Sequence, residues 1–393
     1  IITIVNPSAE FFLALPADQL IGQKLALAAP EVDRVLSEAA VRHRGEYREQ
    51  INLIRTGKER TLNVQVTREE TRGSADSYVI TLDDITDLVV AQRSTAWADG
   101  SSLGNVKFGS NTSTYYQNEI ELPFFMHHLE GKANIDQLAE ATIFFSGENK
   151  WRNFSQWPAA NVEMRSIFLH ENGQLNWNKP TVAKSSTDYV SDPAKPVPYT
   201  EDVHFSRTIA YMTDDQRFAN RRTDVLSFQT DVLTEDVTLG GTVIADLLAS
   251  ISTTDADFVV KLIDVFTSDF SYPGATAAAG RVGGGSYPMG DYQMLVRGEV
   301  MRGRFRNSFE KPEAFTPNKV EKVKFELPDV AHTFKKGHRI MIQIQSSWFP
   351  LVDRNPQKFV NIYEADLKDY IKSTIKIWHD AKNTSSIILP VLK

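Results

Sequence analysis

Short runs in which apolar and polar residues alternate, the period of a half-buried strand, recur along most of this chain, and helical patterning is concentrated in its first hundred residues. There, residues 1–5 form a β-branched run that Asn6-Pro7-Ser8 turns into a helical segment. Leu15-Pro16-Ala17-Asp18 and Ile21-Gly22 punctuate further short helices to about His43. Strands are predicted over 47–55 and 60–68, joined by Thr56-Gly57-Lys58-Glu59. The short Gly-containing connection and the alternation of Leu62, Val64 and Val66 predict an antiparallel hairpin. A third strand over 77–82 runs into Asp83-Asp84-Ile85-Thr86, and a helix opens over 88–97.

At Asp99–Gly104 the pattern changes. Strand-like runs follow at 141–146, 164–169, 225–230, 258–266, 294–300, 320–327, 339–345, 375–378 and 387–392. Many short strands without intervening long helices predict an all-β sandwich. The Pro-containing stretch 179–198 and the Ala/Gly stretch 274–285 read as long connections at its ends.

At 393 residues the chain has room for two or three domains with buried cores, and 41% hydrophobic with 24% charged residues is an ordinary globular composition. A formal charge of −7 makes no case for nucleic acid. Arg297, Arg302, Arg304 and Arg306 alternate with apolar residues and read as one solvated strand face. The absence of cysteine excludes disulfides and thiol catalysis. No run approaches the roughly 20 apolar residues of a membrane span. The chain opens on Ile1 with no charged n-region or h-region, and is read as a fragment.

The stretch His332–Gln357, with Lys336-Gly337-His338-Arg339-Ile340 and Ser347-Trp348-Phe349-Pro350, resembles the signature of the C-terminal β-sandwich of CocE/NonD serine hydrolases. That family includes X-Pro dipeptidyl-peptidases and α-amino-acid ester hydrolases. Phe144-Phe145-Ser146-Gly147-Glu148-Asn149-Lys150-Trp151, Trp157-Pro158, Asp215–Ala219, Thr254–Phe258 and Lys261–Val265 extend the resemblance over about 101–393. It implies a jelly-roll, galactose-binding-like sandwich over 141–393, behind a junction and residual hydrolase segment at 99–140. Ile4-Val5-Asn6-Pro7-Ser8-Ala9-Glu10, Leu15–Gln23 and Leu82-Asp83-Asp84-Ile85-Thr86-Asp87 resemble instead the PAS domain of NtrY-type sensor histidine kinases, over residues 1–98. The fold expected is therefore an α+β PAS-like domain, truncated at its start, followed by an all-β sandwich. Each resemblance stops inside its family's working unit, so the chain is read as pieces of two unrelated genes.

Chemistry is sparse. The resembled hydrolases use a Ser-His-Asp triad with the serine on a Gly-x-Ser-x-Gly elbow between strand and helix. The literal match here, Gly100-Ser101-Ser102-Leu103-Gly104, lacks the preceding apolar strand, and the resemblance puts the triad upstream of residue 101. His127 and His128 are expected on a helix that packs toward an α/β-hydrolase domain, and His204 before a strand. His332 and His338 are expected to hydrogen-bond across the turn between them. Asp214, Asp215, Asp255 and Asp257 read as turn caps rather than a calcium or acid/base site. His43 is the one histidine that a haem in the PAS half could use, and its polar context predicts exposure. No catalytic residue, metal ligand or cofactor is assigned. Trp348, Phe349, Asp353, Arg354 and Asn355 are the candidate surface for docking a hydrolase domain.

Two functions compete. One is the non-catalytic end of a dipeptidyl-peptidase or amino-acid ester hydrolase, inactive alone. The other is a PAS-mediated sensing or dimerisation module, with homo-oligomer contacts through the PAS half or the sandwich. Cytoplasmic placement follows from the PAS resemblance, and periplasmic or secreted placement from the hydrolase resemblance.

Overall fold

The computed structural model describes residues 1–42, 46–55, 58–69, 77–84, 99–131, 138–204, 206–273 and 287–393. His43, the 56–57 turn, Ile85-Thr86, the 88–97 helix and the 274–285 connection lie outside them. The chain divides into two compact units, Ile1–Ala98 and Asp99–Lys393.

In the first unit, helices α1 (Pro7–Leu13), α2 (Ala17–Leu20), α3 (Leu25–Ala28) and α4 (Pro30–Arg42) precede strands β1 (Glu46–Arg55), β2 (Lys58–Glu69) and β3 (Ser77–Asp84). Asn6 caps α1 by accepting the Ala9 N–H at 2.9 Å. Residues 1–5 form no regular strand, but Ile2 exchanges backbone hydrogen bonds with Gly22 and Gln23. The strands pair antiparallel in the order β1-β2-β3, with Ile51 opposite Leu62. Every second residue then faces the helices, so Ile51, Leu53, Leu62, Val64 and Val66 bury against Leu13, Leu20, Val32 and Val35. Arg55 closes one end with a two-pronged bond to Glu31, at 3.1 and 2.9 Å.

The second unit opens with two small hairpins, β4 (Ser102–Leu103) with β5 (Val106–Lys107) and β6 (Ala141–Phe145) with β7 (Lys150–Phe154). Between them lie a π-helical turn, Tyr116–Glu121, and the helix Leu122–Glu130. The strands β8 (Val162–Leu169), β9 (Leu175–Asn176), β10 (Ser186–Ser191), β11 (Leu226–Gln229), β12 (Val237–Ile251), β13 (Asp257–Val265), β14 (Gln293–Arg302), β15 (Glu321–Phe334), β16 (Arg339–Gln345), β17 (Ser373–Trp378) and β18 (Ser386–Leu392) build two sheets. One runs β10-β17-β12-β18-β8-β9 with β15 also on β12, and the other runs β11-β16-β13-β14.

These sheets form a sandwich. Val243, Ala245, Leu247 and Ala249 of β12 share one core with Phe258, Val260 and Leu262 of β13 and Ile340, Ile342 and Ile344 of β16. The other face of β13 is buried too, because Val259, Ile263 and Val265 pack with Tyr199, Leu295, Met341 and Trp348. A strand covered on both faces reads as a continuous apolar run, as 257–265 does. It carries three exceptions, Asp257, Lys261 and Asp264.

Lys261 is 0% exposed, and its ammonium donates to Gln216 Oε1 at 2.9 Å and lies 5.3 Å from the Trp348 ring centroid. Burial pulls its pKa down to about 7. Residues 206–211 are not the strand expected after His204, and Ala210–Thr213 instead forms a 3-10 turn. No helix among the described residues is long and apolar enough to cross a membrane.

Candidate functional site

Two β-bulges shape a cavity of about 400 Å³. On β14, Arg297 pairs with Leu262 and Leu295 with the next residue, Ile263, so Val296 is the extra residue. On the β12–β15 pair the register slips between Gly241 and Val243, where Asp329 lies. A bulge breaks alternation and re-aims side chains, which lets the consecutive residues 294–297 and 329–331 line the same space. Phe108, Phe144, Trp157 and Met212 complete much of the apolar wall. Phe144 is fixed by edge-to-face rings of Phe108 at 5.6 Å and Trp151 at 5.4 Å.

The polar lining is mostly spoken for. Asp329 accepts from Trp157 Nε1 at 2.7 Å and from Thr242 at 2.5 Å. Thr213 donates to the Leu103 carbonyl at 2.8 Å. Arg297 donates from Nη2 to the Asp329 carbonyl at 2.5 Å, while its buried Nε–H meets no acceptor.

Behind the cavity wall runs a chain of polar groups. Ser146 Oγ lies 2.9 Å from His332 Nδ1, His332 Nε2 lies 3.1 Å from Asp264 Oδ2, and Asp264 Oδ1 lies 2.9 Å from His338 Nδ1. Asp264, His332 and His338 are all buried. Burial alone would raise the Asp264 pKa, but hydrogen bonds from His332 and His338 hold it below the ordinary carboxylate value. The two histidines therefore meet on one carboxylate of β13, rather than across their own turn as expected. Serine, histidine and aspartate follow one another as in a hydrolase triad, yet Ser146 is held flat. Its N–H donates to the Ala331 carbonyl at 3.1 Å, and its own carbonyl accepts from Thr333 N at 2.9 Å. That is a sheet bridge, not a strand-to-helix elbow. Ser102 likewise sits in a two-residue strand opposite Lys107.

The five residues of the expected docking surface separate. Trp348 turns inward over Gly298, where an added Cβ would lie 2.7 Å from its ring. Asn355 is buried and donates to Asp257 at 2.7 Å and Asp255 at 3.2 Å. Phe349, Asp353 and Arg354 keep surface exposure. The Arg354 guanidinium spans the rings of Phe349 and Tyr370 and donates to the Pro193 carbonyl at 3.0 Å. Asp353 pairs with Arg302 at 2.5 Å.

The arginines do not form a solvated face. Arg302 also approaches Asp257 at 3.4 Å, Arg304 pairs with Asp255 at 2.7 Å, and Arg306 with Glu321 at 2.5 Å. Asp255 and Asp257 are thus buried partners of arginine rather than turn caps, whereas Asp215 accepts the Arg217 backbone N–H at 3.1 Å, as a turn cap does, and also pairs with its guanidinium at 2.5 Å. Burial pushes the Asp257 pKa up to about 7 against the pull of Arg302. The His128 ring lies tilted against Phe124, with centroids 4.4 Å apart, on the helix Leu122–Glu130, whose Leu122, Phe124, Phe125 and Leu129 are exposed.

Residues 133–388 match the family model of the X-Pro dipeptidyl-peptidase C-terminal non-catalytic domain. The chain belongs to that family. It is 29% identical over 279 residues to a cocaine esterase of Rhodococcus sp. (strain MB1 Bresler), a match covering 69% of this chain and 45% of that protein. Among solved structures, an aminopeptidase from a marine sediment archaeon (Thaumarchaeota archaeon) superposes with a TM-score of 0.68 at 35% identity, over 75% of this chain and 47% of its own. An α-amino acid ester hydrolase does so with a TM-score of 0.68 at 36% identity, with the same coverages of 75% and 47%. The chain thus spans less than half the length of these relatives. A second similarity, 42% identity over 173 residues, is to nitrogen regulation protein NtrY of Azorhizobium caulinodans, covering 42% of this chain and 22% of that protein.

Proposed function

We propose that residues 99–393 act as the non-catalytic jelly-roll sandwich of a CocE/NonD-type serine hydrolase, a partner and wall for an α/β-hydrolase domain, without turnover of their own. The family match over 133–388 carries this reading. The exposed apolar side chains of the helix Leu122–Glu130 support it, since such a face is the kind a second domain covers. Phe349, Asp353 and Arg354 are proposed as the outward part of the docking surface, with Trp348 and Asn355 holding the loop from inside. The purified chain is to be assayed against a p-nitrophenyl ester and phenylglycine methyl ester. Background rates, unchanged by Ser102→Ala, are expected. Turnover that this substitution abolishes would overturn the reading.

A second reading concerns residues 1–98, which we propose to be a PAS-like sensing or dimerisation unit joined to the sandwich from an unrelated gene. The similarity to NtrY and the three-stranded antiparallel sheet under four helices support it. Sedimentation of the whole chain should show a dimer that Val41→Glu or Ile54→Glu dissociates. These side chains are 79% and 63% exposed, so neither change disturbs the core. A monomer at all concentrations would remove the dimerisation reading. Amplification of source DNA across the codons for Arg93 to Phe108 tests the joining: a continuous product would show that the joined gene exists, and no product across the seam, with each half amplifying beside its own family's partner, would remove the reading of a joined chain.

A further inference from the structure

We propose that the cavity bounded by β6, β14 and β15 binds a small organic carboxylate with an aryl or branched apolar body, the carboxylate seated on Arg297. Four arginines lie between Arg297 and Arg306, and three of them reach carboxylates: Arg302 reaches Asp257 and Asp353, Arg304 reaches Asp255, and Arg306 reaches Glu321. Arg297 makes no such pair among the described residues. It spends Nη2 on the Asp329 carbonyl and leaves its buried Nε–H without an acceptor. Burial lowers its pKa from the ordinary arginine value, with the charges of Asp329, Tyr211 and Glu299 opposing that. A half-buried guanidinium with an unanswered N–H costs stability until an acceptor arrives. The Asp329 carboxylate does not serve: it accepts from Trp157 and Thr242, while Arg297 reaches only the Asp329 backbone carbonyl.

The chemical class follows from what the other lining groups can offer. The hydroxyls of Ser146 and Thr213 are engaged by His332 and the Leu103 carbonyl, so they offer little to a sugar or a nucleotide. What remains is one cationic donor beside Phe108, Phe144, Trp157, Met212 and Met294. A volume of about 400 Å³ suits a small ligand with one charged end and an apolar remainder. A carboxylate entering the cavity would pair with the guanidinium of Arg297 and, after a small turn of that side chain, reach its enclosed Nε–H as well. The bulge at Val296 is what presents Arg297 to this space, so the site is built into the strand rather than left by a loop.

The whole chain is to be titrated with 3-phenylpropionate and with its neutral analogue 3-phenylpropionamide, following heat and tryptophan emission, since Trp157 lines the cavity. The acid should bind, and the amide should bind about tenfold more weakly or worse. Arg297→Met should remove that preference and weaken the acid by at least about tenfold. No binding of the acid up to about 10 mM, equal binding of acid and amide, or full affinity in Arg297→Met would each overturn the proposal. Should Arg297→Met fail to fold, the acid–amide comparison on the unaltered chain still decides.

Discussion

Replacing Lys261 with methionine should stabilise the sandwich at neutral and acidic pH and lose that advantage as the solution becomes alkaline. Lys261 lies at the middle of β13, wholly buried, with Gln216 Oε1 as its hydrogen-bond acceptor and the Trp348 ring nearby. Its pKa falls from 10.5 to about 7 because the interior resists the charge. That drop corresponds to about 5 kcal/mol between the charged and neutral forms. Methionine keeps the length and the apolar stem but leaves Gln216 Oε1 unanswered, which takes back about 1–3 kcal/mol. The net gain at pH 6 is then about 2–4 kcal/mol. The sign with pH follows from proton counts. Between about 7 and 10.5 the unfolded lysine holds a proton that the folded one does not, so the stability of the unaltered protein rises across that window. Below it the difference between the two proteins is constant, and above it only the lost hydrogen bond remains, favouring lysine. Urea unfolding at pH 6, 8 and 10 measures this. Five of the six tryptophans lie beyond residue 99, so emission reports mainly on the sandwich. A Lys261→Met protein less stable than its parent at pH 6, or a difference that ignores pH, would refute the argument.

Other consequences can be checked on the same unfolding curves. Asp264→Asn removes the carboxylate that His332 and His338 share and should cost about 3–5 kcal/mol, read as a lower urea midpoint at pH 7. Gly298→Ala would set a Cβ 2.7 Å from Trp348, so a loss of about 1–3 kcal/mol and a changed tryptophan emission are expected, whereas Gly22→Ala, with open space around it, should leave Trp348 undisturbed. Asp257 has a folded pKa of about 7, above the ordinary aspartate value of 3.8, so the folded state holds the extra proton and stability should fall as pH rises between those values. Asp257→Asn should flatten that part of the pH profile, and an unchanged profile would mean that another group sets it.

The sandwich was legible where a strand is covered on one face, or on both by apolar neighbours, as in the runs that became β13, β16 and β18. Its longest strand, β12, was not: the segment Val237–Ile251 contains Gly240-Gly241 and the Ala- and Leu-rich run Ala245–Ser250, a composition closer to helix than to strand. The glycines are explained only by the fold. Gly240 lies under Trp157, with an added Cβ at 3.4 Å from its ring, and Gly241 takes a positive φ of 135° beside the register slip. The cavity escaped for a related reason. Alternation puts Val296 and Arg297 on opposite faces, and only a bulge, invisible in a periodic pattern, brings both to one space. Charge was misread in the same way, because a solvated row of arginines and a row buried on partner carboxylates share one sequence pattern until Asp255, in the connection before β13, and the strands carrying Asp257 and Glu321 are in place. Departures from the period-two rule therefore concentrate around Arg297 and Asp329, where two strands give up regular pairing together. Both bulges fall on strands that end their sheets, β14 and β15, where a break in pairing costs least, and a cavity with one stranded cation is the consequence that a carboxylate titration can expose.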